Sequence, residues 1–205
     1  MIAGAAIAAA TRLMTGAVVT WHCEPHPRCS RIYFANHASH LDFVVVWSAL
    51  PPKERLHTRP VAGRTYWERN GLRRYLSRSV FGAVLVDRST GGDDAVAVAR
   101  ASVDRMARTL GEGASLIVFP EGTRSADGDV GPFKSGLYHL SCLRPEVELV
   151  PVHLENLNRI LPKGEMLPVP MLSRVVFGAP FSPSTHDKDG FLTEARDALL
   201  SLRVS

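Results

Sequence analysis

The sequence predicts an α/β fold: a mixed, largely parallel sheet flanked by helices, with a short apolar helix at its N-terminus. Three observations carry this expectation. Short apolar runs alternate with longer amphipathic stretches, the order expected of strands joined by crossover helices. No internal repeat, low-complexity tract or Ser/Gly linker divides the chain. The two most unusual segments, ANHASHLD and FPEGTRS, each begin where a predicted strand ends, and ligands in such sheets bind beyond the carboxyl ends of the strands.

The elements follow in order. Met1 to Trp21 is rich in Ala and Gly, with Arg12 as its only charged side chain. No basic residue precedes the apolar run, so it does not read as a signal peptide. A spanning helix wants roughly 20 predominantly apolar residues, and Arg12 interrupts this stretch. Two placements fit: a helix lying on or dipping into a membrane, with Arg12 reaching the headgroups, or a helix packed on the protein's own core. We divide the chain accordingly into a membrane-associating segment, residues 1–21, and a globular domain, residues 22–205.

Arg31 to Ala35 (RIYFA) reads as a short buried strand, and Ser39 to Leu50 as a helix stopped by Pro51 and Pro52. Lys53 to Arg78 is basic and less regular. Ala83 to Val86 is a second strand. Asp93 to Leu110 is an amphipathic helix with Val96, Val103, Met106 and Leu110 on one stripe and Asp93 and Asp94 at its N-terminal end. Ser115 to Phe119 is a third strand and Gly131 to Cys142 a helix. Leu149 to Leu154 and Arg174 to Phe177 are further strands, and Phe191 to Leu202 closes the chain as a helix.

Composition bounds the function. At 205 residues the chain is one domain with at most a short appendage, and it is long enough to bury a core without metals or disulfides. Hydrophobic residues at 45% and charged residues at 21% exclude a disordered chain. The net charge of +4 points toward anionic partners: nucleic acid, anionic lipid or a phosphorylated substrate. A mean hydropathy of +0.01 is high for so basic a chain, and both properties need one explanation. Cys23, Cys29 and Cys142 form no framework spacing, which suggests reduced thiols and a cytosol-facing protein. His22, Cys23, His26 and Cys29 crowd one segment, but their spacing matches no established zinc pattern. We read it as a connecting loop and expect no metal.

His37 and Asp42 have the residue types of a general base and its orienter. On one continuous helix, five residues advance about 500°, which leaves the two side chains about 140° apart. They meet only if His37 lies in the strand-to-helix turn and Asp42 in the first turns of the helix. His40 also stands near Asp42, and Ser39 is a possible nucleophile. In FPEGTRS, Gly122 permits a close backbone approach. Arg124 offers a fork for phosphate, Thr123 and Ser125 add hydroxyls, and Glu121 stands where it can hold the guanidinium. The segment Gly82 to Arg88 supplies a strand that ends on a second cation, Arg88.

In this order, the N-H-x4-D turn, the Gly82 to Arg88 block and FPEGTRS resemble the glycerolipid acyltransferases, specifically the 1-acyl-glycerol-3-phosphate (lysophosphatidate) acyltransferase group. Phe133-Lys134-Ser135-Gly136 and Val150-Pro151-Val152 are similar to later stretches of that family. The resemblance implies that His37 deprotonates the acceptor hydroxyl and that Asp42 supports it. It also implies an acceptor site built from Asn36, Gly82, Arg88, Glu121, Gly122, Thr123, Arg124 and Ser125, with Pro151 shaping the acyl end of the cleft. The donor is then an acyl-CoA or acyl carrier protein thioester, used as co-substrate, with no cofactor and no metal. Leu85 stands where a Phe or Ile is commoner in the family, and the N-terminal membrane-binding part looks abbreviated.

The implied partners are a membrane lipid (lysophosphatidate), acyl carrier protein as one donor, and an anionic membrane surface. The implied place is the cytoplasmic face of a membrane, as a peripheral or monotopic protein. Lys53 to Arg78 carries eight cationic residues against Glu54 and Glu68. It suits either a solvated face or a surface for lipid headgroups or donor phosphates, with Tyr66 and Trp67 at the interface. Two other functions are consistent with parts of the pattern. One is acylation of another lysolipid, such as a lyso-ornithine lipid. The other is hydrolysis of a thioester or ester, although no G-x-S-x-G elbow is present. Nucleic acid is not expected, because no reader motif accompanies the charge.

Overall fold

The computed structural model describes residues 2–23, 29–39, 42–87, 94–125, 128–156, 173–184 and 187–203. In chain order these form α1 (Ile2–Thr15), β1 (Val18–Trp21), β2 (Arg31–Ala35), α2 (Asp42–Ala49), α3 (Pro52–His57), β3 (Thr58–Gly63), α4 (Arg64–Trp67) and α5 (Gly71–Tyr75). A π-helical turn, Leu76–Val80, leads into β4 (Val84–Val86) and α6 (Ala95–Gly111). Then come β5 (Ser115–Val118), α7 (Gly136–Leu143), β6 (Glu148–Glu155), β7 (Arg174–Phe177) and α8 (Lys188–Leu200).

The strands form one seven-stranded sheet in the order β1-β7-β6-β2-β5-β3-β4. Every pairing is parallel except β6 with β7, so the expected mixed, largely parallel sheet is present. β2 lies between β5 and β6 and is buried along its whole length. This explains why residues 32–35 are an unbroken apolar run rather than an alternating one. Tyr33 and Ala35 pack on one face with α1 and α2, while Ile32 and Phe34 pack on the other with α6, α7 and α8. Pro151 sits inside β6, where its missing N–H faces Gly178, the residue at which β7 has ended.

Several boundaries differ from the sequence reading. Residues 2–21 are not an appendage: α1 packs on α2, and β1 is the outer strand of the sheet. Arg12 does not reach outward to headgroups. It donates to the carbonyls of Ser48 (2.8 Å) and Leu50 (3.4 Å) at the end of α2, where a cation suits the helix dipole. Trp67 is likewise a packing residue, set edge-on against Phe43 and Phe81. The stripe on α6 is shorter than expected, because Val96 is 79% exposed while Val103 and Leu110 are buried. Among the described residues, no helix is long and apolar enough to cross a membrane.

Candidate active site

β2 and β5 are neighbours, with Phe34 opposite Val118. The segments that follow them therefore leave the same edge of the sheet side by side. After β2 the chain turns through Asn36, His37, Ala38 and Ser39 before α2 begins at Asp42. Asp42 closes that turn. Its Oδ2 accepts the N–H groups of Ala38 (2.7 Å) and Ser39 (2.8 Å) and lies 2.8 Å from Nδ1 of His37. The carboxylate is buried, whereas the His37 side chain remains 17% exposed. With Nδ1 donating to Asp42, Nε2 is left with its lone pair, the form a general base requires.

The loop after β5 grips His37 from the other side. Glu121 Oε1 accepts the His37 N–H at 2.8 Å, and the His37 carbonyl accepts the Ser125 N–H at 2.7 Å. The Phe119 ring stacks on the imidazole, with centroids 4.3 Å apart and planes 23° from parallel. His37 is thus held through its main chain, its Nδ1 and its ring face.

Glu121 does not hold Arg124. Its carboxylate is buried and accepts two backbone N–H groups, from His37 and, on Oε2, from Gly131 at 2.9 Å. Burial raises its pKa, and those two hydrogen bonds work against the rise. Arg124 is half-buried and makes no hydrogen bond or ion pair among the described residues, so its guanidinium is available to an anion. Gly122 adopts φ 71°, and a Cβ there would lie 2.9 Å from Nζ of Lys134. The positive φ favours glycine, and the lysine stem crosses the loop at this point. Thr123, Ser125, Phe133 and Lys134 line an adjoining cavity of about 510 Å³.

The other expected site residues separate. Asn36 is a clasp: its Nδ2 donates to the Leu154 carbonyl (3.0 Å) and its Oδ1 accepts the Leu154 N–H (2.8 Å). It extends the β2–β6 ladder one step past the last backbone pair, Ala35 with Val152. Gly82 precedes β4 at the amino-end edge of the sheet, away from His37, and uses φ 56° to pass the Arg59 side chain. Pro151 is buried in the sheet, and its ring lies 2.8 Å from where a Cβ would stand on Gly178. Arg88 and His40 lie outside the described residues, as does much of the Cys23 to Cys29 segment. Ser39 is 1% exposed, so its hydroxyl is not presented as a nucleophile.

Sequence reasoning missed Gly131 and Lys134 as parts of this site. Residues 131–135 were expected to begin a helix. Instead they run as a loop tied to FPEGTRS by the Gly131 N–H to Glu121 and by the Lys134 N–H to the Pro120 carbonyl (2.8 Å). Pro132 gave no signal against the helix, since proline suits a helix's first turn as well as a loop. His153, on β6, is a buried histidine that burial pushes down to about 4, with the Arg203 charge adding and Glu155 opposing. It is neutral near pH 7, so its 3.6 Å approach to Glu155 is not an ion pair there.

Residues 22–155 match the family model described as Acyltransferase. Among curated proteins, the chain is similar to a 1-acyl-sn-glycerol-3-phosphate acyltransferase of Limnanthes alba, at 34% identity over 155 residues, covering 71% of this chain and 49% of that protein. It is also similar to the alpha form of Ovis aries, at 32% over 137 residues, covering 65% and 43%. The chain thus spans about half the length of the curated relatives it matches. The fold is that of the crystal structure of the 1-acyl-sn-glycerophosphate (LPA) acyltransferase PlsC from Thermotoga maritima. The TM-score is 0.74 at 19% identity, covering 100% of this chain and 80% of that one.

Proposed function

The chain belongs to the acyltransferase family, and from that premise we propose that it acylates the free hydroxyl of lysophosphatidate with an acyl-CoA or acyl carrier protein thioester, giving phosphatidate. The observation that carries the proposal is the His37–Asp42 contact held against the Phe119 to Ser125 loop. A base and a free cationic side chain emerge from adjacent strands, as a substrate with a hydroxyl and a nearby phosphate requires.

In the proposed reaction, Nε2 of His37 takes the proton from the acceptor hydroxyl as its oxygen bonds to the thioester carbonyl carbon. Asp42 stabilises the imidazolium that forms. The tetrahedral intermediate collapses, the carbon–sulfur bond breaks, and the departing thiolate takes the proton from Nε2. Thioesters are already activated, so one placed base and good positioning supply much of the catalysis. Arg124 binds the acceptor phosphate, with Thr123 and Ser125 contributing hydroxyls. No cofactor enters this scheme.

The reading puts the protein at the cytoplasmic face of a membrane, as a peripheral or monotopic protein on an anionic surface. Its support is the mixture of exposed apolar residues (Leu13 and Met14 on α1, Leu72 and Tyr75 on α5) with exposed Arg69 and Arg74. The test is product analysis by mass spectrometry. The purified chain is given lysophosphatidate, lyso-ornithine lipid or no acceptor, each with acyl-CoA and acyl carrier protein donors. Phosphatidate as the main product is expected. A preference for lyso-ornithine lipid reassigns the acceptor, and free fatty acid without an acceptor replaces transfer by hydrolysis.

A further inference from the structure

The residues that hold His37 are themselves held by the closing helix, which lies outside the stretch matched by the family model. Arg196, on α8, aims its guanidinium at the loop before α7. Its Nη2 donates to the Val130 carbonyl at 2.8 Å, and its Nε lies 3.2 Å from the carbonyls of both Val130 and Gly131. The N–H of that same Gly131 donates to Oε2 of Glu121 at 2.9 Å, and Oε1 of Glu121 accepts the N–H of His37 at 2.8 Å. Four residues thus form one unbroken hydrogen-bonded path from α8 to the backbone of the base.

Each link has a physical reason. Phe191, Ala195 and Leu199 bury one side of α8 in the core, so Arg196 projects from a fixed helix. The planar fork of arginine reaches two successive carbonyls, which a lysine ammonium cannot match in geometry. Gly131 admits the carboxylate, since a Cβ there would stand 3.2 Å from Oε2. Glu121 then joins the loop to His37 with one oxygen for each. Arg203, beyond α8, reaches Asp129 of the same loop at 3.3 Å and is a second tie.

We infer that Arg196 is a positioning residue for the base, setting through Gly131 and Glu121 where the His37 imidazole stands relative to the acceptor hydroxyl. This rests on the reading of His37 as the base. It assigns catalytic consequence to a residue that touches neither substrate nor the imidazole.

The test is a double-mutant cycle in the full chain, with Arg196→Ala, Glu121→Gln and the pair assayed for kcat and KM at a temperature where thermal melts show all variants folded. Displacing a reacting group by about 1 Å costs roughly 10²-fold. Arg196→Ala is therefore expected to lose roughly 10- to 100-fold in kcat, with the acceptor KM within about threefold. Added methylguanidinium restores a large part of the loss and equal sodium chloride does not. Combined with Glu121→Gln, Arg196→Ala adds little, because both break one path. Arg196→Lys, which keeps the charge without the fork, falls between the wild type and alanine, and it carries the test if the alanine variant does not fold. An unchanged kcat in Arg196→Ala overturns the inference. So do losses that simply multiply with those of Glu121→Gln, or that methylguanidinium fails to relieve. If the unaltered chain forms no acylated product, the proposed function has failed instead.

Discussion

Asp42 and His37 meet at 2.8 Å through the one carboxylate oxygen that also receives the N–H groups of Ala38 and Ser39. Asp42 therefore builds the turn and orients the imidazole with the same atom. The two residues are five apart, too far around one helix to touch. They meet because His37 precedes α2 and Asp42 begins it.

Asp42→Asn separates these two tasks. The amide keeps one oxygen for the turn, so circular dichroism is expected to show a folded protein. Being neutral, it cannot stabilise the imidazolium that forms on His37 as the carboxylate does. A kcat lower by roughly 10²–10⁴-fold is expected in steady-state assays. Wild-type turnover in this variant would separate Asp42 from the chemistry.

Asn36→Ala should act on stability rather than on substrate. It leaves the N–H and carbonyl of Leu154 without their side-chain partners, a loss of about 2–4 kcal/mol for two buried groups. Denaturant unfolding reads the change directly. A variant of normal stability with a raised acceptor KM would return Asn36 to the binding residues.

Arg124→Ala should do the opposite. Its guanidinium has no partner among the described residues, so its removal disturbs no internal contact. Losing a charge-assisted hydrogen bond to phosphate, worth about 1.5–3 kcal/mol, raises the acceptor KM roughly 10- to 100-fold. Unchanged KM with collapsed kcat would place Arg124 in the chemical step.

His153 gives the fold an acid-sensitive point. The unfolded chain binds a proton there near the ordinary 6.5, and the folded one only near 4, chiefly because burial disfavours the imidazolium. Between those values the unfolded state holds more protons. The stability at stake is present in full above pH 6.5 and is lost as pH falls toward 4, by about 3 kcal/mol in total. Urea titrations from pH 7 to 4 should show His153→Gln with a flatter profile than the wild type. Parallel profiles would mean that His153 is protonated as readily folded as unfolded.

The strands that place the site were legible because burial on both faces made them apolar: RIYFA, SLIV and RVVF announce β2, β5 and β7. β3 was not legible. TRPVAG carries Arg59 and Pro60, and its pairing is divided, with residues 58–60 on β5 and 61–63 on β4, so neither composition nor period marks it as a strand. β1 was marked only by Gly16 and by the β-branched VVTW after an Ala-rich helix, signals masked by the largely apolar character of residues 2–21. In the site, the His37–Asp42 contact could be read because only one local geometry permits it. The partners of Glu121 could not, since they are backbone groups of Gly131 and His37 that only the tertiary fold brings to it. The basic segment between the first two motifs suits a solvated face or a lipid or donor surface, and within it Arg64 pairs with Asp87 and Arg78 with Glu68.

If His37 deprotonates the lysolipid hydroxyl for acyl transfer, its removal must stop phosphatidate formation in a protein that still folds. The rate of phosphatidate formation from lysophosphatidate and a saturating acyl-CoA is measured by mass spectrometry for the unaltered chain and for His37→Ala, with thermal melts alongside. Phosphatidate is expected from the unaltered chain, with a loss of roughly 10²–10⁴-fold in a folded His37→Ala variant. Phosphatidate formed at the full rate by His37→Ala would contradict that role.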